Sequence, residues 1–139
     1  MDWFKKKKNT REKTVYLPPK DINPEYPASQ VSDERFEYFV DYAYKQIPKN
    51  IARHIENVSI IIDPTYNPYL LGLFQGIPKT KQLNNQGGYL PEVITLYRET
   101  LKHVTRTELD LYEQTRKTLF HEIGHYLGMD HDKLEKYGY

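Results

Sequence analysis

Residues 118–131, TLFHEIGHYLGMDH, carry the pattern from which the fold can be predicted. They contain His-Glu-x-x-His, in which His121 and His125 are four residues apart. Apolar residues recur around this pattern with the period of a helix, and side chains four apart on a helix project from the same face. Two imidazoles one turn apart can bind a single metal ion, and Glu122 beside the first of them is placed to accept a proton from water. These residues therefore predict a metal site on a helix.

A third ligand is expected just beyond the end of this helix. Gly128 can adopt the left-handed conformation that ends a helix, which would let the chain turn back and bring His131 to the same ion. Asp130 or Asp132 could supply an oxygen ligand in its place. Three neutral nitrogen ligands would leave a fourth position for water, as in catalytic zinc sites, where the pKa of that water falls to about 7. We predict one Zn²⁺ per chain, bound by His121, His125 and His131.

Composition limits the other possibilities. The chain has 139 residues, with 20 Lys+Arg against 19 Asp+Glu and no cysteine. This size predicts one small domain, and the absence of cysteine excludes disulfides, thiolate metal ligands and a cysteine nucleophile. Neither a membrane span nor a secretion signal is evident, so a cytoplasmic location is expected.

Positive charge is concentrated at the N-terminus. Residues 1–20 contain seven basic residues, including the run Lys5 to Lys8, and two acidic ones. Residues 1–30 are predicted to be a basic, flexible or surface-draped tail, and residues 31–139 the folded domain. Contact of this tail with nucleic acid is possible but is the less favoured interpretation.

The order of elements predicts an α+β fold with the site helix near the C-terminus. Ser32 is expected to cap a first helix whose apolar face includes Phe36, Phe39, Val40, Ala43 and Ile47. Pro48 fits the first turn of a short second helix, on which Ile51, Ala52 and Ile55 should face inward. Residues 58–62 should form a buried strand.

The second half of the chain is predicted to hold one more strand and the long helix. The glycine- and proline-containing stretch 64–90 is expected to be mostly loop, and residues 92–97 a second strand. Thr105 and Thr107 compete as caps of the last helix, on which Leu109, Tyr112, Leu119, Ile123 and Tyr126 should face inward.

Three segments resemble small bacterial metallopeptidase-like proteins with a minimal zincin fold: YLLGLFQGIP (69–78), LPEVITLYR (90–98) and residues 118–139. The resemblance covers the chain from about Asp33 to its end. It implies helices packed on a small sheet, zinc bound by His121 and His125, and Glu122 as the catalytic glutamate. The sequence departs from metzincins, because only eight residues follow His131 and Met129 lies inside the motif. The reaction implied is hydrolysis of peptide bonds.

A peptide substrate would need a strand to align it. In zincin-like folds an exposed edge strand before the site helix binds an extended substrate, and Val93 to Tyr97 is the predicted strand here. Possible phenolic hydrogen-bond donors are Tyr97, Tyr126, Tyr137 and Tyr139, although each is more readily interpreted as a packing residue. His54 and His103 lack metal-ligand spacing and are interpreted as ordinary helix-end or surface residues.

Two other functions fit the motif. The ending Gly-Met-Asp-His, residues 128–131, resembles that of bacterial zinc endoribonucleases of rRNA maturation, which have Gly where this chain has Glu122. The third interpretation is an interaction domain that contains zinc without catalysing a reaction.

Overall fold

The computed structural model describes residues 16–76, residues 92–129 and Asp132. The elements, in chain order, are a 3₁₀ turn Ala28–Gln30, α1 Asp33–Lys45, α2 Lys49–Ala52, β1 Val58–Asp63, β2 Gly72–Gln75, β3 Glu92–Tyr97, α3 Arg98–His103 and α4 Glu108–Tyr126. The fold is α+β, with helices packed on a small sheet, as predicted. The sheet is mixed, and α3 is a fourth helix that the sequence analysis did not predict. No helix within these described ranges is both long and apolar enough to cross a membrane. The cytoplasmic location stays a prediction.

The sheet has the strand order β1-β3-β2. β1 runs parallel to β3 with Val58 opposite Glu92, and β2 runs antiparallel to β3 with Gly72 opposite Leu96. Residues 92–97 form a strand as predicted, and its Ile94 and Leu96 are fully buried. β3 is therefore the centre of the sheet.

β1 is a strand as predicted, but the prediction that this strand is buried is wrong. Val58 is buried, but Ser59 is exposed and Ile61 is 47% exposed. β1 pairs only with β3 among the described strands, and its side chains alternate between a covered and an open face. An apolar run of this kind does not reveal whether both faces are covered.

The expected loop 64–90 contains a strand, β2, that the sequence analysis missed. Only Phe74 of its four residues, Gly72–Gln75, is of a type that favours strands, and their pairing with β3 decides their conformation. Phe74 from this strand packs edge-to-face on Tyr126 of α4, with ring centroids 5.5 Å apart. Residues 77–90 of the expected loop lie outside the described residues.

The two long helices follow the predicted signals. The Ser32 side chain accepts a hydrogen bond from the Arg35 N–H at the start of α1. Thr107 caps α4 by accepting from the Asp110 N–H, while the Thr105 hydroxyl donates to the Leu101 carbonyl. The predicted inward residues Phe36, Phe39, Val40, Ala43, Ile47, Tyr112, Leu119, Ile123 and Tyr126 are buried. Leu109 is only half-buried, and Leu111 takes its expected place in the core.

The short helix α2 begins one residue later than predicted. Pro48 precedes it at the N-cap, and Ile51 and Ala52 are only half-buried, whereas Ile55 beyond its end is buried.

Residues 16–31, most of which belong to the segment predicted to be a flexible or surface-draped tail, pack against the helices. The Tyr16 ring contacts Phe120 edge-to-face at 5.0 Å, and the Arg116 guanidinium lies 4.7 Å from the Tyr16 ring centroid. Arg35 bonds Asp21 at 2.7 Å and the buried Glu108 at 2.8 Å. These contacts involve isolated side chains that follow neither a helix nor a strand period, so no sequence pattern predicted them. Residues 1–15, with the lysine run, lie outside the described residues, and the predicted division at residue 30 stays a prediction.

Tyr112 joins α4 to the end of α1 and makes the fold sensitive to alkaline pH. Its hydroxyl donates to Gln46 Oε1 at 2.7 Å, and burial raises the pKa of its phenol to about 12. The unfolded phenol ionises near pH 10, so the folded state loses stability as pH rises from about 10 towards 12. We expect Tyr112→Phe to cost about 1 kcal/mol at pH 7 and to flatten this alkaline loss. Urea unfolding at pH 7, 9 and 10.5 measures both effects, and an equally steep alkaline loss in the variant would contradict the assignment.

Candidate metal centre

The last two turns of α4 bring the predicted site residues together. His121, Glu122 and His125 each offer a ligand atom, and these atoms all lie within 4.8 Å of one another. The two imidazole rings are 4.8 Å apart at their centroids and both are half-buried. The C-terminal end of a helix carries partial negative charge, which favours a cation here. These three residues could hold a metal ion.

The donor set fits zinc. Imidazole nitrogens one helical turn apart are ligands that Zn²⁺ prefers, and a carboxylate is also compatible with it. Both histidines are partly accessible, and His121 lines the cavity described below, so a metal ion and water could reach it from there. Softer thiolate ligands are excluded, because the chain has no cysteine.

Glu122 is held in place by the edge strand of the sheet. Its side chain is only 8% exposed, and its Oε1 accepts a hydrogen bond from the Phe74 N–H at 2.9 Å. The pairing of β2 with β3 explains this contact. The Leu71 carbonyl accepts from the Tyr97 N–H and so faces β3, and in an antiparallel pair the backbone groups of alternate residues face the partner strand. The backbone groups of Gly72 and Phe74 therefore point away from β3. Sequence analysis had no signal for this bond, because its donor belongs to the strand it missed.

Gly72 allows β2 to lie directly against α4. A Cβ at this position would be 2.7 Å from Thr118 Cγ2, 3.1 Å from the Thr95 carbonyl oxygen and 3.4 Å from Glu122 Cγ. The contact between strand and helix thus requires a residue without a side chain. It places the Phe74 N–H within reach of the Glu122 carboxylate.

The end of α4 has the predicted turn at Gly128. Gly128 has φ +89°, its N–H donates to the His125 carbonyl, and the Met129 N–H donates to the Gly124 carbonyl. These two bonds form a Schellman motif, and the buried Met129 side chain packs in the core.

His131 and Asp130 lie outside the described residues. Asp132 is exposed and is not part of the His-Glu-His cluster. His131 as the third ligand therefore stays a prediction.

An open cavity of about 360 Å³ lies beside the cluster. One wall is the segment 69–72, with Leu70 and Leu71, and the other is the face of α4. The α4 residues that line it are Gln114, Lys117, Thr118, His121 and Glu122. Sequence analysis did not single out the first three, although they precede His121 by seven, four and three residues and so share its helical face.

The other candidate residues that the structure describes are not members of the His-Glu-His cluster. His54 and His103 are exposed, and the His103 ring stacks edge-to-face on Tyr66 at 5.1 Å. Tyr126 is buried against Phe74, as a packing residue should be. Tyr97 is half-buried and ends β3, whereas Tyr137 and Tyr139 lie outside the described residues.

The predicted substrate strand, Val93 to Tyr97, is not an edge strand. It belongs to β3, which is hydrogen-bonded to β1 on one side and to β2 on the other. Its backbone groups are used within the sheet, so it cannot add a further strand. The strand beside the cluster is β2, whose Gly72 lines the cavity.

A family model described as zincin-like metallopeptidase matches residues 50–139. The chain belongs to the zincin-like metallopeptidase family. This confirms the resemblance found in the sequence. No functionally curated protein matches this zincin-like chain. A solved structure, a conserved hypothetical protein from Thermus thermophilus, is similar with a TM-score of 0.49 and 22% identity, over 69% of this chain and 94% of that chain.

The family match covers the whole sheet, α4 and the cavity of this zincin-like protein. α1 precedes the matched region but packs on α4, where Phe39 meets Tyr112 edge-to-face at 5.7 Å. The helix that carries the cluster is thus supported from both sides, by β2 and by α1.

Proposed function

We propose that this protein is a zinc-dependent metallopeptidase. His121, His125 and His131 would hold one zinc ion, and Glu122 would act as general base. The observation that carries the proposal is the His-Glu-His cluster on one face of α4, at the side of an open cavity. When bound, zinc would lower the pKa of water towards neutrality and polarise a peptide carbonyl.

Glu122 supplies the proton transfer in this mechanism. Its carboxylate would take a proton from the attacking water and deliver it to the amine that leaves. The hydrogen bond from the Phe74 N–H fixes the orientation of the carboxylate before a substrate arrives. This preorganisation supports a catalytic role, because a general base must already lie within hydrogen-bond reach of its proton.

β2 is the strand we propose for substrate alignment, in place of Val93 to Tyr97. Leu71 uses its carbonyl towards β3, so the backbone groups of Gly72 point away from the sheet. An extended peptide could pair with them along the cavity, with its scissile bond at the His-Glu-His cluster.

Metal content tests the site directly. We expect protein purified without added metal to contain about one zinc per chain by mass spectrometry, and His121→Ala and His125→Ala to lose it. His131→Ala should also lose most of its zinc, since a two-ligand site is much weaker. Retention of zinc by His131→Ala would leave Asp130, Asp132 or Glu122 as the third ligand. Absence of metal from the unmodified protein, even after zinc is supplied, would contradict the proposal.

Activity is tested with a peptide library read by mass spectrometry. Cleavage by the zinc-loaded protein, abolished in His125→Ala, would support a peptidase. An RNA substrate treated in parallel tests the endoribonuclease interpretation, and cleavage of RNA alone would replace the proposal by that one. Zinc binding without hydrolysis of either substrate would favour the non-catalytic domain.

A further inference from the structure

Lys117 is the basic residue in the wall of the cavity. It lies one turn before His121 on α4, is exposed, and lines the cavity with Gln114 and Thr118. Among the residues that the structure describes it forms no ion pair, not even with Glu113 four residues earlier. Its ammonium group is therefore available to a ligand in the cavity.

The cavity lining carries a negative charge and a positive charge at separate positions. Glu122 is the acidic residue of the lining, but it is 8% exposed and accepts the Phe74 N–H. Lys117 is exposed at the other end of the same helical face, and the Gln114 amide donates to the Thr118 hydroxyl beside it at 3.3 Å. A ligand side chain that reaches this end of the cavity meets a positive charge.

The distance along α4 from Lys117 to His121 equals the length of about two residues of an extended peptide. Four residues of α-helix rise about 6 Å, and an extended peptide rises about 3.3 Å per residue. A side chain near Lys117 thus belongs to a residue about two positions from a bond held at His121. Leu70 and Leu71 on the opposite wall would contact its aliphatic part.

We propose that this cavity selects peptides with a Glu or Asp side chain within about two residues of the scissile bond, whose carboxylate pairs with the Lys117 ammonium. The inference rests on the proposed peptidase function and adds the substrate class to it. The apolar wall and the carboxylate of Glu122 favour a peptide over a nucleic acid, whose phosphates would meet Glu122 along the same face.

The test measures binding without hydrolysis. The zinc-loaded full chain with Glu122→Gln is titrated into fluorescent peptides that differ only by Glu, Gln or Lys at one position, and anisotropy is read at low and high salt. We expect the Glu peptide to bind about fivefold more tightly than the Gln peptide at low salt and this advantage to shrink at high salt. Lys117→Arg should keep the preference, and Lys117→Glu should reverse it in favour of the Lys peptide.

A matched control uses another exposed lysine. Lys49→Glu on α2 makes the same charge change outside the cavity lining and should leave the preference unchanged. Equal binding of the three peptides, an unchanged preference in Lys117→Glu, or tighter binding of an RNA oligomer than of the Glu peptide would overturn the inference. If the unmodified zinc-loaded protein hydrolyses peptides with no preference for an acidic residue, this inference alone is refuted. If peptide binding shows a preference that depends on Lys117 but the unmodified protein hydrolyses none of the peptides, only the peptidase proposal is refuted.

Discussion

Replacing Glu122 with Gln is expected to reduce peptide hydrolysis by about 10² to 10⁴-fold, the usual contribution of a general base. The amide cannot take a proton from water at neutral pH. Its oxygen can still accept the Phe74 N–H that now bonds Oε1, so β2 and α4 should keep their contact. We therefore expect kcat to fall while zinc content and unfolding temperature stay near those of the unmodified protein.

The control for this substitution is Glu113→Gln, an identical change at an exposed position of the same helix outside the cavity lining. It should leave hydrolysis within about twofold of the original, as surface substitutions usually do. Turnover by Glu122→Gln equal to that of the unmodified protein would contradict the proposed mechanism. Loss of zinc from that variant would instead make Glu122 a metal ligand, which its place in the cluster also permits.

The second large effect is expected at Gly72, where a single methyl group should disturb both stability and activity. The Cβ of Gly72→Ala would lie 2.7 Å from Thr118 Cγ2 and 3.1 Å from the Thr95 carbonyl oxygen, so the Thr118 side chain, the strand or the helix must shift. Overpacking of this kind typically costs about 1–3 kcal/mol. The shift would also lengthen the bond between the Phe74 N–H and Glu122, so kcat should fall more than KM rises. Urea unfolding and steady-state kinetics measure the two effects.

Thr118→Ser provides the matched rescue of Gly72→Ala. It removes Cγ2, the atom that the new methyl meets, and keeps the hydroxyl that accepts from Gln114. The double variant should recover part of the stability and of kcat, although the contact with the Thr95 carbonyl at 3.1 Å persists. Additive losses in the double variant, or an unaltered stability of Gly72→Ala, would show that the close approach does not position Glu122.

Helix α4 and the face that carries the His-Glu-His cluster could be predicted because their signals are local. Thr107, the apolar period and Gly128 act within a few residues of one another, and the four-residue spacing of His121 and His125 fixes their shared face. The N-cap of α1 at Ser32 was found in the same way. The family match to residues 50–139 agrees with what these motifs indicated.

The sheet and the surroundings of Glu122 were decided by contacts between distant parts of the chain. Local signals were enough for two strands, for α1, α2 and α4, and for the His-Glu-x-x-His motif. Tertiary contacts were needed to make Gly72–Gln75 a strand, to place β3 in the centre, and to set the Phe74 N–H against a carboxylate 48 residues away. They also joined Tyr16 to Phe120. Helix periods and caps are recorded in neighbouring residues, whereas a strand's position and partners depend on which backbone groups remain unpaired elsewhere in the fold.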